Sequence, residues 1–190
     1  MIIDPGCYFG NERAVLQDYI EREGLTPKIL INTHCHLDHV FGNKFVAETW
    51  DLPLLLHEKE KRLLDLAPDF GLQWGLPFDG YKGELRFITP GETILLGEED
   101  LTVLFLPGHS PGSVGLYSEK DAFVIGGDVL FREGIGRTDL PGGDHATLLE
   151  SIRTVLWPLP DETVVYSGHG EPTTIGHEKR YNPFLKDISR

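Results

Sequence analysis

Residues 31–42 read "INTHCHLDHVFG", placing three histidines and one aspartate within the six positions 34–39, directly behind the apolar run "KILI". His34 and His36 are two apart, and in an extended segment alternate side chains point the same way, so both imidazoles can reach one ion. Cys35 then points the opposite way, and a buried, inert thiol is expected of it rather than a metal ligand. Asp38 and His39 follow where "HVFGNKFVAE" begins a helix. The chain turns there, so this second pair can face a different point, and the spacing suggests two ions.

Three further segments share one layout, an apolar run closed by a glycine-containing turn that carries a candidate ligand. "LTVLFLPGHS" ends on His109, "AFVIGGD" on Asp128 and "TVVYSGHG" on His169. Loops at strand ends, held by a rigid sheet, are where sites are commonly built, and flanking glycines let backbone approach a ligand. Five of the eight histidines fall in the 34–39 cluster and these strand-end turns, whereas His57, His145 and His177 have no comparable setting. Taken singly, each histidine reads as a surface or core residue; taken together, the cluster reads as a metal site.

The rest of the chain bounds what the site can serve. With 190 residues, 40% apolar and 25% charged, the sequence suits a single domain over residues 1–190, and no apolar run approaches the roughly 20 residues of a membrane span. A net charge of −13 opposes partners that need a basic patch, so neither nucleic acid nor a membrane is expected. The N-terminus "MIIDPGCYFG" lacks a secretory pattern, and two cysteines, Cys7 and Cys35, fit a reducing compartment, so the expected location is cytoplasmic. Oligomeric state leaves no signal in the sequence.

"NERAVLQDYIEREG" carries Val15, Leu16, Tyr19 and Ile20 at helical spacing, with Asn11 as N-cap and Gly24 as C-cap. Strands are expected at "PKILIN", "LPLLLH", "ETILL", "LTVLFLP", "GSVGLYS", "AFVIGG" and "TVVYS", and helices near 41–50, 58–66, 145–156 and 176–182. Early strands alternate with helices and those from 93 to 126 form a meander, which predicts an α+β fold. Trp50, Trp74 and Trp157 can line a pocket, but large aromatics are more often core, and no role is assigned to them.

"THCHLDH", "PGHSPGS", "GGDVLF" and "SGHG" resemble the metal-binding motifs of the metallo-β-lactamase superfamily. Within it, "IDPG", "GIGRTDLPGGD" and "GHGEPTTIGHEKRYNP" resemble short glyoxalase II-like, or hydroxyacylglutathione hydrolase-like, proteins over essentially the whole chain. The resemblance implies an αββα sandwich with metals at one edge of two packed sheets, here without the N-terminal strands that usually precede "IDPG". It implies that His34, His36 and His109 hold one metal, that Asp38, His39 and His169 hold the other, and that Asp128 bridges them. The larger glyoxalase II enzymes carry a C-terminal helical region that helps hold glutathione, whereas this chain ends at Arg190.

Two divalent ions bring four positive charges, of which Asp38, Asp128 and a bridging hydroxide cancel three, so such a site stays positive and favours a water-derived nucleophile near neutral pH. Asp38 and Asp128 are therefore the expected catalytic residues. Nitrogen and carboxylate donors suit zinc first, with iron or manganese as alternatives. Without a Ser/His/Asp triad or a spare acid, the easiest bond to cut is a thioester, because a thiol with pKa of about 8.5 leaves with little help. The expected activity is a metal-dependent thioesterase acting on a small acyl-glutathione or similar acyl-thiol. By resemblance Arg137 lies near the thiol-bearing part of the substrate, where it can hold a carboxylate; a loop ion pair with Asp139 is the competing role. Lys179, Arg180 and Tyr181 read as a solvated helix face. The alternatives are a persulfide dioxygenase-like enzyme with a single iron, a β-lactamase, which generally lacks the bridging aspartate, and a non-catalytic binding protein of the same fold.

Overall fold

A computed structural model describes residues 1–186, and the chain divides into two compact units, Met1–Phe87 and Ile88–Arg190. The first unit is built on a sheet of order β1-β2-β3-β4, from β1 (Ile2–Ile3), β2 (Leu30–Ile31), β3 (Leu54–His57) and β4 (Leu85–Ile88), the last of which spans the boundary. β2 pairs in parallel with both β1 and β3. Parallel strands need helical crossovers and are buried on both faces, which accounts for the unbroken apolar runs "KILI" and "PLLLH". The crossovers are α1 (Gly10–Arg22) and, after β2, the short α2 (Leu37–Val40) followed by α3 (Asn43–Trp50). A turn at Glu58–Glu60 leads from β3 into α4 (Lys61–Gln73). Leu30, Leu54 and Leu56 are fully buried with Cys35, Val40 and Val46 in one apolar cluster. Each such leucine contributes about 1.5–3 kcal/mol by its removal from water.

The second unit carries a sheet of order β12-β11-β8-β7-β6-β5, from β5 (Thr93–Leu96), β6 (Glu99–Phe105), β7 (Val114–Ser118), β8 (Phe123–Gly127), β11 (Val164–Ser167) and β12 (Thr173–Thr174). β5 to β8 form an antiparallel meander, and β11 returns in parallel to β8. That parallel return requires a crossover, supplied by the hairpin β9 (Leu130–Phe131) with β10 (Gly134–Ile135) and by α5 (His145–Ser151) with its π-helical continuation Ile152–Leu156. Leu148, Ile152 and Leu156 bury this crossover against Leu106, Val124 and Val165. α6 (Ile175–Tyr181) follows β12. No described helix is long and apolar enough to cross a membrane.

The expected strands and helices are present, with local corrections. Phe9, not Asn11, caps α1, because Glu12 Oε2 accepts from the backbone N–H groups of both Tyr8 and Phe9. Of the apolar positions expected to bury that helix, Ile20 is buried while Val15 and Tyr19 are exposed. The helix expected near 41–50 is α3, Asn43–Trp50, and α2 stands before it as a separate short helix; between them the Gly42 N–H donates to Pro5 O at 2.7 Å. Trp74 is exposed rather than in the core.

Candidate metal centre

Each unit holds part of the predicted ligand set at strand ends. In the first unit, His34 and His36 follow β2 and Asp38 and His39 sit in α2. The His34 ring lies 4.8 Å from the His36 ring and 4.0 Å from the His39 ring, centroid to centroid. His39 Nε2 is 3.7 Å from Asp38 Oδ2. His34 and His39 are buried, His36 is half-buried and Asp38 is exposed, so the group opens to solvent on its aspartate side.

One residue that the sequence reading left without a role organises this group. Asp4 Oδ1 accepts from Thr33 N at 2.7 Å and Asn32 Nδ2 at 3.2 Å, and its Oδ2 accepts from Thr33 Oγ1 at 2.5 Å. His39 Nδ1 lies 3.1 Å from that same Oδ2 and therefore donates to it, leaving the Nε2 lone pair to face Asp38. His34 Nδ1 lies 3.1 Å from Thr33 Oγ1, whose own proton is committed to Asp4, so His34 Nδ1 also donates and its Nε2 is left as an acceptor. One carboxylate thus sets two histidine tautomers, as partners behind metal ligands commonly do. Asp4 holds a left-handed φ of 48°, a conformation costly for a residue with a side chain. The signal was a carboxylate at the end of a short strand in "IDPG", but nothing in the sequence shows that strand lying beside β2.

In the second unit His109 follows β6, Asp128 follows β8 and His169 follows β11. Asp128 Oδ2 lies 3.8 Å from His109 Nε2 and 3.5 Å from His169 Nε2. His109 Nδ1 donates to Arg137 O at 2.7 Å, so its Nε2 presents a lone pair toward the carboxylate oxygen. A Cβ on Gly136 would sit 2.0 Å from Asp128 O and 3.2 Å from His109 Cβ, so only glycine lets the loop carrying Arg137 lie against both. The first unit repeats the device, since a Cβ on Gly6 would sit 2.1 Å from Asp38 O.

The Arg137 side chain is exposed and holds Asp139 through two hydrogen bonds of 2.7 Å. The guanidinium lowers the Asp139 carboxyl to about 2. Cys35 is buried in the apolar cluster, and burial first, then the negative charges of Glu60 and Asp4, push its thiol well above the ordinary value. Among the described residues neither Cys35 nor Cys7 forms a disulfide.

A family model described as the metallo-beta-lactamase superfamily matches residues 1–169, which include every predicted ligand. The chain belongs to this superfamily. Hydroxyacylglutathione hydrolase GloC of Haemophilus influenzae is 42% identical over 194 residues, covering 99% of this chain and 88% of that protein. Two solved structures are similar: the BLEG-1 B3 metallo-beta-lactamase, 42% identical with a TM-score of 0.88 over 97% of this chain and 87% of that one; and TTHA1623 in a di-iron-bound form, 41% identical with a TM-score of 0.88 over 96% and 88%. The fold is therefore the metallo-β-lactamase fold expected from the motifs, with mixed helices and sheets.

Metallo-β-lactamase folds bind divalent metal, and the donors here fit one. In each unit an imidazole has its Nδ1–H committed to an oxygen and its Nε2 lone pair facing a carboxylate oxygen at 3.7 or 3.8 Å. Two lone pairs at that separation repel, and a cation held between nitrogen and oxygen turns the repulsion into coordination.

Proposed function

We propose that this metallo-β-lactamase superfamily member is a binuclear metal-dependent thioester hydrolase, acting on a small acyl-glutathione or similar acyl-thiol. In this reading the donors of the two units act together: His34, His36 and His109 serve one ion, Asp38, His39 and His169 the other, and Asp128 bridges both. The observation that carries it is Asp128 Oδ2, which faces His109 Nε2 and His169 Nε2 at 3.8 and 3.5 Å, as a carboxylate shared between two centres would. When bound, two divalent ions lower the pKa of water toward about 7 and supply a nucleophile at neutral pH. Zinc is the first choice and iron, with manganese, the alternative, iron being the metal of the di-iron form of TTHA1623.

The chain's own residues hold the Nδ1 side of His34, His39 and His109 through Thr33, Asp4 and the Arg137 carbonyl, leaving Nε2 to serve a metal, and they offer Asp38 and Asp128 as catalytic carboxylates. A thiolate leaving group suits them, since its pKa of about 8.5 requires no protein acid. In this reading Arg137, which pairs with Asp139 in the structure, binds substrate by exchanging that partner for a substrate carboxylate. The net charge of −13 supports a small-molecule partner over nucleic acid or membrane, and two free thiols support a cytoplasmic setting.

Identity to a B3 metallo-beta-lactamase favours a β-lactam as the second reading. The test is to load the purified protein with zinc, iron or manganese and compare hydrolysis of an acylated glutathione, a simple acyl-thiol and a chromogenic cephalosporin, with oxygen uptake followed on glutathione persulfide. Thioester hydrolysis without oxygen uptake is expected. Faster turnover of the cephalosporin, or oxygen consumption, overturns the thioesterase reading.

A further inference from the structure

Among the buried polar groups outside the ligand set, Glu60 reaches the metal-binding loop from a different element of the fold. It ends the turn Glu58–Glu60 after β3 and begins α4, and its side chain has no exposure to solvent. A carboxylate in such a place is costly unless strong donors satisfy it. One donor is the backbone N–H of Cys35, at 2.7 Å from Glu60 Oε2, across 25 residues of chain. The topology explains the meeting: β2 and β3 are parallel neighbours, so the segments leaving their ends run side by side. Cys35 is the residue between His34 and His36, and its side chain is turned into the apolar cluster. The bond from its N–H therefore holds the His34–Cys35 peptide, within the short segment that carries two proposed ligands.

We propose that Glu60 is a positioning residue for the metal centre, setting the spacing of the His34 and His36 imidazoles by holding the Cys35 amide. The inference rests on the metal reading above. It assigns Glu60 no contact with substrate or metal. An acceptor at its Oε2 position is what the loop requires.

The matched substitutions are Glu60→Gln, which keeps an accepting oxygen, and Glu60→Met, which keeps length and apolar volume but accepts no hydrogen bond of comparable strength. Metal affinity is read by chelator competition, the ligand field by the visible spectrum of the cobalt(II)-loaded protein, and loop order by hydrogen exchange at the Cys35 amide. Expected are affinity within about threefold of the parent for Gln, a loss of about 10–100-fold with an altered cobalt spectrum for Met, and a protected Cys35 amide in the metal-free parent. Equal affinity and spectrum for folded Glu60→Met overturn the proposal while leaving the metal reading intact. Should Met not fold, rapid exchange of the Cys35 amide in the metal-free parent, or a loss of metal affinity of about 10-fold or more in folded Glu60→Gln, overturns it equally. A parent that binds no metal overturns the metal reading and this inference with it.

Discussion

Asp4 shows how much of a metal centre can rest on a residue that is not a ligand. Its charge accepts from His39 and from the Thr33 hydroxyl behind His34, so Asp4→Asn replaces an accepting oxygen by an amide that must donate to one of them. The expected result is a 10–100-fold loss of metal affinity, on the order seen for carboxylates behind histidine ligands, with the far-UV circular dichroism unchanged. Chelator competition measures it, and parental affinity would remove Asp4 from the centre. Arg137 and Asp139 give a pH signature of a different kind. Asp139 falls from 3.8 to about 2 because Arg137 bonds its ionised form. A carboxyl lowered on folding adds stability above its unfolded value of 3.8 and loses that stability as pH falls through about 2. The pair is solvent-exposed, so the effect on unfolding is small, and the sharper readout is the Asp139 carboxyl resonance. In Arg137→Ala its midpoint should climb back toward 3.8, and a midpoint still near 2 would mean that another donor holds it. Among the candidate ligands, His34, His36, Asp38 and His39 were legible in the sequence because their spacing is local, and His109, Asp128 and His169 because each follows an apolar run closed by a glycine-containing turn. Asp4 and Glu60 were not, because each acts through a contact that spans 25 to 35 residues of chain.

At the scale of elements, the loops after the strands are fixed by close backbone approach as much as by hydrogen bonds. Gly136 lies against the Asp128 carbonyl with room for no further carbon. Gly136→Ala must push the Arg137 loop away from Asp128 and His109, and the Arg137 carbonyl that orients His109 moves with it. Overpacking of this kind costs about 1–3 kcal/mol, which a denaturant titration resolves as a lower midpoint at unchanged slope. Metal affinity should fall together with stability; a variant with parental values for both would show that the loop has slack. The same interlocking explains where sequence reading stopped short. The helix expected near 58–66 runs on, as α4, past Pro68 to Gln73, with Leu63, Leu64, Ala67 and Gly71 burying one of its faces. Gly42 separates α2 from α3, and its N–H bonds to the Pro5 carbonyl, a partner 37 positions away that local periodicity cannot reveal. The seven strands expected from the sequence were legible, since parallel β2 and β3 are continuous apolar runs and the meander strands are separated by turn residues, whereas β1, β4, β9, β10 and β12 were not.

For the whole molecule, the proposal that donors from both units serve the same pair of ions has a thermodynamic consequence. A ligand that binds only the folded protein stabilises it by about 2.7 kcal/mol when its free concentration is 100 times its dissociation constant. In a protein of this length each kcal/mol moves the melting temperature by roughly 2–4 °C, so metal removal should lower it by roughly 5–10 °C. Ions held by donors from residues 1–87 and 88–190 alike must protect both stretches at once. Hydrogen exchange with and without metal should therefore slow in the β2–α2 segment and, at the same metal concentration, in the turns after β6, β8 and β11. Metal analysis should give two equivalents per chain, since seven donors exceed what one tetrahedral or five-coordinate ion accepts. Protection confined to one unit, with a single equivalent bound, would show that the two donor sets serve separate ends and would return the chain to a one-metal chemistry.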